Sequence, residues 1–127
     1  MNEPTLGAVL YVLDLESMRT FYRDGLGLRE THVEQGYAML AVGPTLITLV
    51  QAPPHLAQQF SAVSERREEN PIKLSFPTTS IADARSRVAM HGGIIDEPEC
   101  EWQFGNVRVC DGNDPEGNVI QLRTMKN

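Results

Sequence analysis

Two segments of this chain resemble each other at a constant spacing of 66 residues, the difference between positions 15 and 81. In the first, Leu15-Glu16-Ser17-Met18-Arg19-Thr20-Phe21-Tyr22 leads into Gly25-Leu26-Gly27-Leu28. In the second, Ile81-Ala82-Asp83-Ala84-Arg85-Ser86-Arg87-Val88 leads into Gly92-Gly93-Ile94. An internal repeat restricts the fold strongly, because two similar units have to pack against each other. The repeat therefore predicts paired modules with a cleft between them.

Size and charge narrow the classes of partner. A chain of 127 residues forms one domain, or two small halves around one core. Its net charge is −6 and its basic residues are dispersed, which disfavours nucleic acid and anionic membranes. We find no signal sequence at Met1-Asn2-Glu3-Pro4 and expect a cytoplasmic protein with two free cysteines. A small molecule or a second copy of the chain remains as partner.

The first module, residues 5–51, has the pattern β-α-β-β-β. Asp14 is placed to cap the helix that follows the first strand, and glycines at 25 and 27 end it. The apolar helix positions Leu15 and Met18 fall on one face, together with Phe21 or Tyr22 and with Leu26. The predicted strands are 6–13, 28–33, 37–42 and 45–51, with a hairpin at Gly43-Pro44.

A linker, residues 52–70, with a short helix within 55–63, separates this module from the second, residues 71–124. Ser80-Ile81-Ala82-Asp83 has the form of a capping box, in which Asp83 reaches back to the N–H of Ser80. The turn Asp114-Pro115-Glu116-Gly117 joins the last two strands. With residue 113 opposite 118, Gln121 faces Cys110 and Arg123 faces Arg108. The predicted strands are 72–78, 94–95, 107–111 and 118–123.

Two of these motifs identify a family. The run from Asp14 to Leu28, and Asp114-Pro115-Glu116-Gly117-Asn118-Val119-Ile120-Gln121-Leu122, resemble the first helix and last hairpin of the vicinal oxygen chelate superfamily. That superfamily includes glyoxalase I, extradiol dioxygenases, fosfomycin-resistance enzymes and bleomycin-resistance proteins. The resemblance covers residues 5–124. It implies an α+β fold of two tandem βαβββ modules, forming a curved, half-open mixed β-sheet cup with helices outside.

The resemblance also indicates where a metal would bind. The metal enzymes of this superfamily carry ligands at four sheet positions, which correspond here to Gly7, Thr48, Lys73 and Gln121. Divalent cations prefer imidazole, carboxylate or thiolate ligands, and an ammonium group repels them. We therefore predict a chain without a metal or other cofactor, most similar to the bleomycin-resistance type, which binds a drug in the cup. By the same resemblance we expect a homodimer whose cups are completed by both subunits.

The predicted cup is apolar and aromatic with a few polar points, as ligand pockets usually are. Trp102 and Phe104 are expected to wall its opening, and Arg108 and Cys110 to share a face with Gln121. The predicted ligand-binding residues are Gly7, Val9, Tyr11, Tyr37, Met39, Leu46, Thr48, Val50, Lys73, Trp102, Phe104, Arg108, Cys110 and Gln121.

Other functions stay open at this point. A lyase or isomerase could use Lys73, Arg108 or Gln121 as acid, base or oxyanion partner, and a metal enzyme could take its ligands from other positions. A regulatory partner domain with a vestigial cup is the third alternative. The leading interpretation is a metal-independent protein that binds, and sequesters, an aromatic or hydrophobic antibiotic or metabolite, with no catalytic residue assigned.

Overall fold

In a computed structural model that describes residues 6–60 and 66–125, the chain forms two mixed β-sheets with helices packed against them. The first sheet has the strand order β1-β4-β3-β2, with β1 parallel to β4. Its helix α1 continues directly into a π-helical turn, Phe21–Gly25. The elements are β1 (Leu6–Val12), α1 (Leu15–Thr20), β2 (Arg29–Glu34), β3 (Tyr37–Val42) and β4 (Thr45–Gln51).

The second sheet repeats this arrangement. Its strand order is β5-β9-β8-β6, β7 pairs additionally with β8, and β5 is parallel to β9. The elements are α2 (Pro54–Ala57), β5 (Leu74–Pro77), α3 (Ile81–Met90), β6 (Ile94–Ile95), a 3-10 turn (Pro98–Cys100), β7 (Trp102–Phe104), β8 (Val107–Asn113) and β9 (Val119–Met125). The predicted α+β fold of two βαβββ-like modules with open sheets is confirmed.

No helix in the described ranges is long and apolar enough to cross a membrane.

One face of each sheet forms the hydrophobic core. On β4, Ile47 and Leu49 are buried, whereas Thr48 between them is partly exposed, as strand alternation requires. The helices contribute fully buried side chains such as Tyr22, whose ring lies 5.8 Å from that of Phe76 in the second module. A single core therefore holds the two modules together.

The helix starts follow the predicted capping chemistry with one correction. Asp14 accepts a hydrogen bond from Ser17 N at 3.0 Å, and Ser80 Oγ accepts one from Asp83 N at 3.1 Å. The N–H of Ser80, however, donates to Thr78 Oγ1 at 3.3 Å, so the predicted reach-back of Asp83 is replaced by a threonine. In the linker the helix covers Pro54–Ala57, and residues 61–63 of the helix predicted within 55–63 lie outside the described residues.

The register of the last hairpin differs by one residue from the prediction. Asp114 N donates to Asn118 O at 3.0 Å, while Asp114 Oδ1 accepts from Asn118 N. These bonds close the turn around 114 and 118, so residue 113 pairs with 119 and residue 111 with Gln121. Because a slip of one residue turns every side chain of a strand to the other face, the predicted partners of Gln121 and Arg123 were wrong.

Candidate functional site

The face of the first sheet opposite the core gathers eight of the predicted ligand-binding residues. In the observed register Val9 is paired with Thr48 and Thr48 with Met39, while Tyr11 is paired with Val50 and Val50 with Tyr37. Gly7 pairs with Leu46 at the end of this face. Val9 is 61% exposed and Tyr11 48% exposed, although both are large apolar or aromatic side chains. We call this surface the open face of the first sheet.

A polar pair borders this open face on β2. His32 lies opposite Met39, its Nε2 is 3.1 Å from Glu34 Oε2, and its ring centroid is 5.8 Å from that of Tyr37. The face is thus apolar and aromatic along β1, β4 and β3, and polar at its outer strand.

The corresponding face of the second sheet carries a row of polar side chains. Ser75, Gln121 and Asp111 are paired across β5, β9 and β8, and Ser75 Oγ donates to Gln121 Oε1 at 2.9 Å. Lys73, immediately before β5, extends across the same face, where its Nζ lies 2.7 Å from Asp111 Oδ2. The other oxygen, Asp111 Oδ1, is buried without a hydrogen-bond partner among the described residues.

Trp102 lies on this second open face. It belongs to β7 and pairs with Val109. The ammonium of Lys73 lies 5.7 Å from the centre of the Trp102 ring, within the range of a cation–π contact. The indole is 41% exposed, so it offers a flat apolar surface next to the Lys73–Asp111 pair. Phe104 pairs through its backbone with Val107, and its side chain lies outside the described part of the structure.

Arg108 and Cys110 point away from this face, contrary to the prediction. Cys110 pairs with Leu122, is fully buried in the core, and donates to Asp96 O at 3.4 Å. Arg108 pairs with Thr124, and its Nε is 3.2 Å from Glu101 Oε1. Both displacements follow from the one-residue difference in register. Burial raises the pKa of the Cys110 thiol, which opposes any role for it as a nucleophile.

Two clefts lie between β1 of the first module and β5 of the second. One, of about 380 Å³, is lined by Gly7 on one side and by Lys73, Ser75 and Arg123 on the other. The second, of about 250 Å³, is lined by Val9 together with Ile72 and other apolar residues. Thr48 and Gln121 line neither cleft, so the structure brings only two of the four expected metal positions, Gly7 and Lys73, to one cavity.

The comparisons with known proteins agree with this architecture. A family model, the Glyoxalase/Bleomycin resistance protein/Dioxygenase superfamily, matches residues 6–122. The chain belongs to this superfamily. No curated protein sequence matches it at a significant level.

Several solved structures resemble the chain over nearly its full length. A glyoxalase/bleomycin resistance protein/dioxygenase family enzyme from Burkholderia phytofirmans has a TM-score of 0.70 and 17% identity, covering 98% of this chain and 99% of its own. An integron cassette protein from the mobile metagenome of Vibrio cholerae has a TM-score of 0.64 and 26% identity, and the match covers 98% of this chain and 97% of that protein. The fosfomycin resistance protein of Listeria monocytogenes has a TM-score of 0.68 and 16% identity, and the match covers 98% of this chain and 94% of that protein. At these identities the likeness shows the fold.

The metal set of the superfamily's enzymes does not fit the residues of this chain. Gly7 has no side chain, Thr48 and Gln121 supply only neutral oxygens, and Lys73 places a cation among them that is already paired with Asp111. Within residues 6–60 and 66–125, no three His, Cys, Asp or Glu side chains converge as a metal would require. We therefore derive no chemistry through a metal at this position.

Sequence reasoning missed three residues of the second open face. Ser75 follows Lys73 by two residues and Arg123 follows Gln121 by two, so simple alternation along each strand places them on that face. Asp111 required the correct register of the last hairpin, which depends on how the Asp114 side chain closes the turn.

Proposed function

We propose that this protein binds a planar, aromatic or hydrophobic small molecule, such as an antibiotic or a metabolite, against its open faces without a metal ion. The observation that carries the proposal is the position of Lys73. By the resemblance in sequence, this residue corresponds to a metal-ligand position of the superfamily's enzymes. Its ammonium lies 2.7 Å from the carboxylate of Asp111 and 5.7 Å from the centre of the Trp102 ring. A protein that only binds and sequesters the molecule, without converting it, requires no catalytic side chain or metal ion in addition.

The surroundings of Lys73 support a flat, mostly apolar ligand. Trp102 offers an exposed indole, and aromatic side chains stack well on planar molecules. The open face of the first sheet presents two further large apolar or aromatic side chains, Val9 at 61% exposure and Tyr11 at 48%. A buried acceptor such as Asp111 Oδ1 is costly without a donor, and a water molecule or a ligand N–H or O–H would satisfy it.

We also propose that two copies of the chain complete the site. The apolar side chains exposed on the open faces, among them Val9, Tyr11 and Trp102, would be costly to leave in water, and a second copy covers them. Analytical ultracentrifugation between about 1 and 100 μM is expected to show a dimer, since a homodimer interface of ordinary size holds in the micromolar range or tighter. A monomer across this range contradicts this part of the proposal.

Tryptophan fluorescence tests ligand binding directly, because Trp102 is the only tryptophan of the chain. We expect saturable quenching by at least one member of a panel of planar antibiotics, unchanged after dialysis against EDTA. A ligand that binds only after a divalent metal is restored contradicts the metal-independent site. Turnover of the bound compound, followed by chromatography, would show an enzyme instead.

Paired variants locate the site. Val9→Arg introduces a long charged side chain on the open face and is expected to weaken binding at least about tenfold, since it both fills the cleft and charges it. Met90→Arg, at the exposed end of α3, adds the same charge away from the open faces and is expected to leave binding unchanged. Equal effects of the two variants contradict the proposed location.

A further inference from the structure

The charge of the larger cleft differs in sign from the charge of the whole molecule. The chain carries a net charge of −6, yet among residues 6–60 and 66–125 the charged side chains that line the cleft of about 380 Å³ are two cations, Lys73 and Arg123. The rest of its lining is mainly apolar, including Leu6, Ala8 and Ile47. An apolar cleft with a cationic edge is suited to an amphiphilic anion.

Arg123 has no carboxylate partner within residues 6–60 and 66–125. Its Nη1 donates to the carbonyl oxygen of Ser75 and to Ser75 Oγ, the latter at 3.1 Å, and these are the hydrogen bonds that its guanidinium makes in the described chain. They hold the side chain along β5. A guanidinium has five N–H donors, so the Nε and Nη2 groups remain for a ligand.

In the part of the chain that the structure describes, Lys73 forms an ion pair with one carboxylate, that of Asp111. Asp111 Oδ2 lies 2.7 Å from its Nζ, and the side chain of Lys73 is 38% exposed. An ammonium has three donors, of which Asp111 uses one. Counted over the described residues, Lys73, Arg123 and Asp111 give this part of the second open face a net charge of +1.

We propose that this cleft is a carboxylate subsite, and that the ligand of the protein is an apolar or aromatic acid. The carboxylate lies between Arg123 and Lys73, where the planar fork of the guanidinium accommodates its two oxygens, and the apolar part extends along Leu6 and Ala8 of β1. This inference rests on the proposed function, whose site it shares, and it adds the chemical class of the ligand.

Matched probes test the charge requirement separately from binding itself. Naphthalene-2-carboxylate and naphthalene-2-carboxamide have nearly the same shape and differ in charge. We expect the carboxylate to bind at least about tenfold more tightly, since a charge-assisted bidentate pair is worth more than a neutral hydrogen bond. Raising the salt concentration from about 0.05 to 0.5 M should weaken the binding of the carboxylate and leave the binding of the amide unchanged.

Variants identify the groups responsible. Arg123→Gln is expected to lower the affinity for the carboxylate about tenfold and to change the affinity for the amide by less than about twofold. Arg123→Lys keeps the charge, so it should lower the affinity for the carboxylate by less than Arg123→Gln does. Asp111→Asn frees Lys73 and should raise the affinity for the carboxylate. Arg87→Gln, on α3 and outside this cleft, changes the net charge equally and serves as the control. Circular dichroism and urea unfolding confirm that each variant is folded.

The outcomes separate the two proposals. Equal affinities for acid and amide, or an Arg123→Gln variant that behaves like Arg87→Gln, overturn the carboxylate subsite and leave the proposed binding function intact. Failure of both naphthalene probes and of the antibiotic panel overturns both proposals together.

Discussion

The hydroxyl of Tyr22, in the first module, donates a hydrogen bond of 2.7 Å to the carboxylate of Asp114, in the last hairpin of the second. Both side chains are fully buried. The same carboxylate also accepts bonds from the side chain and backbone of Asn118 and from the N–H of Glu116. The turn that sets the register of β8 and β9 is therefore tied to the helix of the other module.

Removal of this hydroxyl should weaken the fold measurably. Tyr22→Phe leaves a buried acceptor with one donor fewer, which costs about 1–2 kcal/mol of unfolding free energy in urea. Tyr11→Phe is the matched control, because the Tyr11 hydroxyl makes no hydrogen bond to the described residues and half of the side chain is exposed; its cost should stay below about 0.5 kcal/mol. Equal losses in the two variants would show that the bond contributes little.

The pH dependence of stability should carry a contribution of unusual sign from Asp114. Burial, the largest cause, raises the pKa of this carboxyl above its ordinary value, although hydrogen bonds from Tyr22 and Asn118 oppose the shift. A carboxyl group whose pKa is raised in the folded state stabilises the protein at any pH below its unfolded-state pKa. This contribution to stability is lost as the pH rises through the folded-state pKa. The stability difference between the native chain and Asp114→Asn should therefore fall as the pH rises from about 3 to about 6. A difference that grows over this range contradicts the assignment.

Glu116, two residues further along the same turn, ties the modules together through the backbone. Its carboxylate accepts hydrogen bonds from Leu13 N at 2.9 Å and from Asp14 N at 2.8 Å, at the start of α1. Glu116→Gln keeps one acceptor but loses the charge, and we expect a loss of about 1 kcal/mol in urea unfolding. Glu116→Asp, one methylene shorter, should lose at least as much because it falls short of these N–H groups. An unchanged stability in both would mean that solvent replaces these bonds.

The repeat predicted the elements well because its signals are local. Asp14 and Ser80 accept the first-turn hydrogen bonds expected of caps, and the strands of the first module begin and end within one or two residues of the predicted bounds. The turn between β8 and β9, in contrast, is not determined by such local signals. The register of β8 and β9 depends on the bonds made by the Asp114 side chain, and an error of one residue there moved Cys110 into the predicted site and Asp111 out of it.

Aligned glycines of the repeat show a second limit of sequence reasoning. Gly27 and Gly93 correspond at the spacing of 66, but Gly27 has a φ of +78° with open space where a Cβ would be. Gly93 has the opposite character. A Cβ there would collide with the Phe21 ring and lie 2.7 Å from the carbonyl oxygen of Asn113. The sequence pattern alone does not distinguish a glycine required for its backbone angle from one required for its small size.

Gly93→Ala tests this packing role. The added methyl group meets a ring, a backbone oxygen and Val88 at once, and we expect a loss of about 2–3 kcal/mol in unfolding free energy. Gly25→Ala is the control, because its Cβ would make only ordinary contacts at 3.5 Å or more and helix-forming tendency improves. Similar behaviour of the two variants would contradict the close contact at Gly93.

The two cysteines should differ sharply in reactivity. Cys100 is exposed, whereas Cys110 is buried and its pKa is raised, chiefly by that burial, against the opposing effect of Arg85. Because the thiolate is the reactive form, both low access and a raised pKa slow Cys110. Ellman's reagent at about pH 8, near the ordinary thiol pKa, should titrate one thiol per chain in the native protein and two in urea. Cys100→Ser should abolish the native reaction and leave the one thiol released on unfolding; two thiols reacting rapidly in the native state would contradict the orientation of Cys110 into the core.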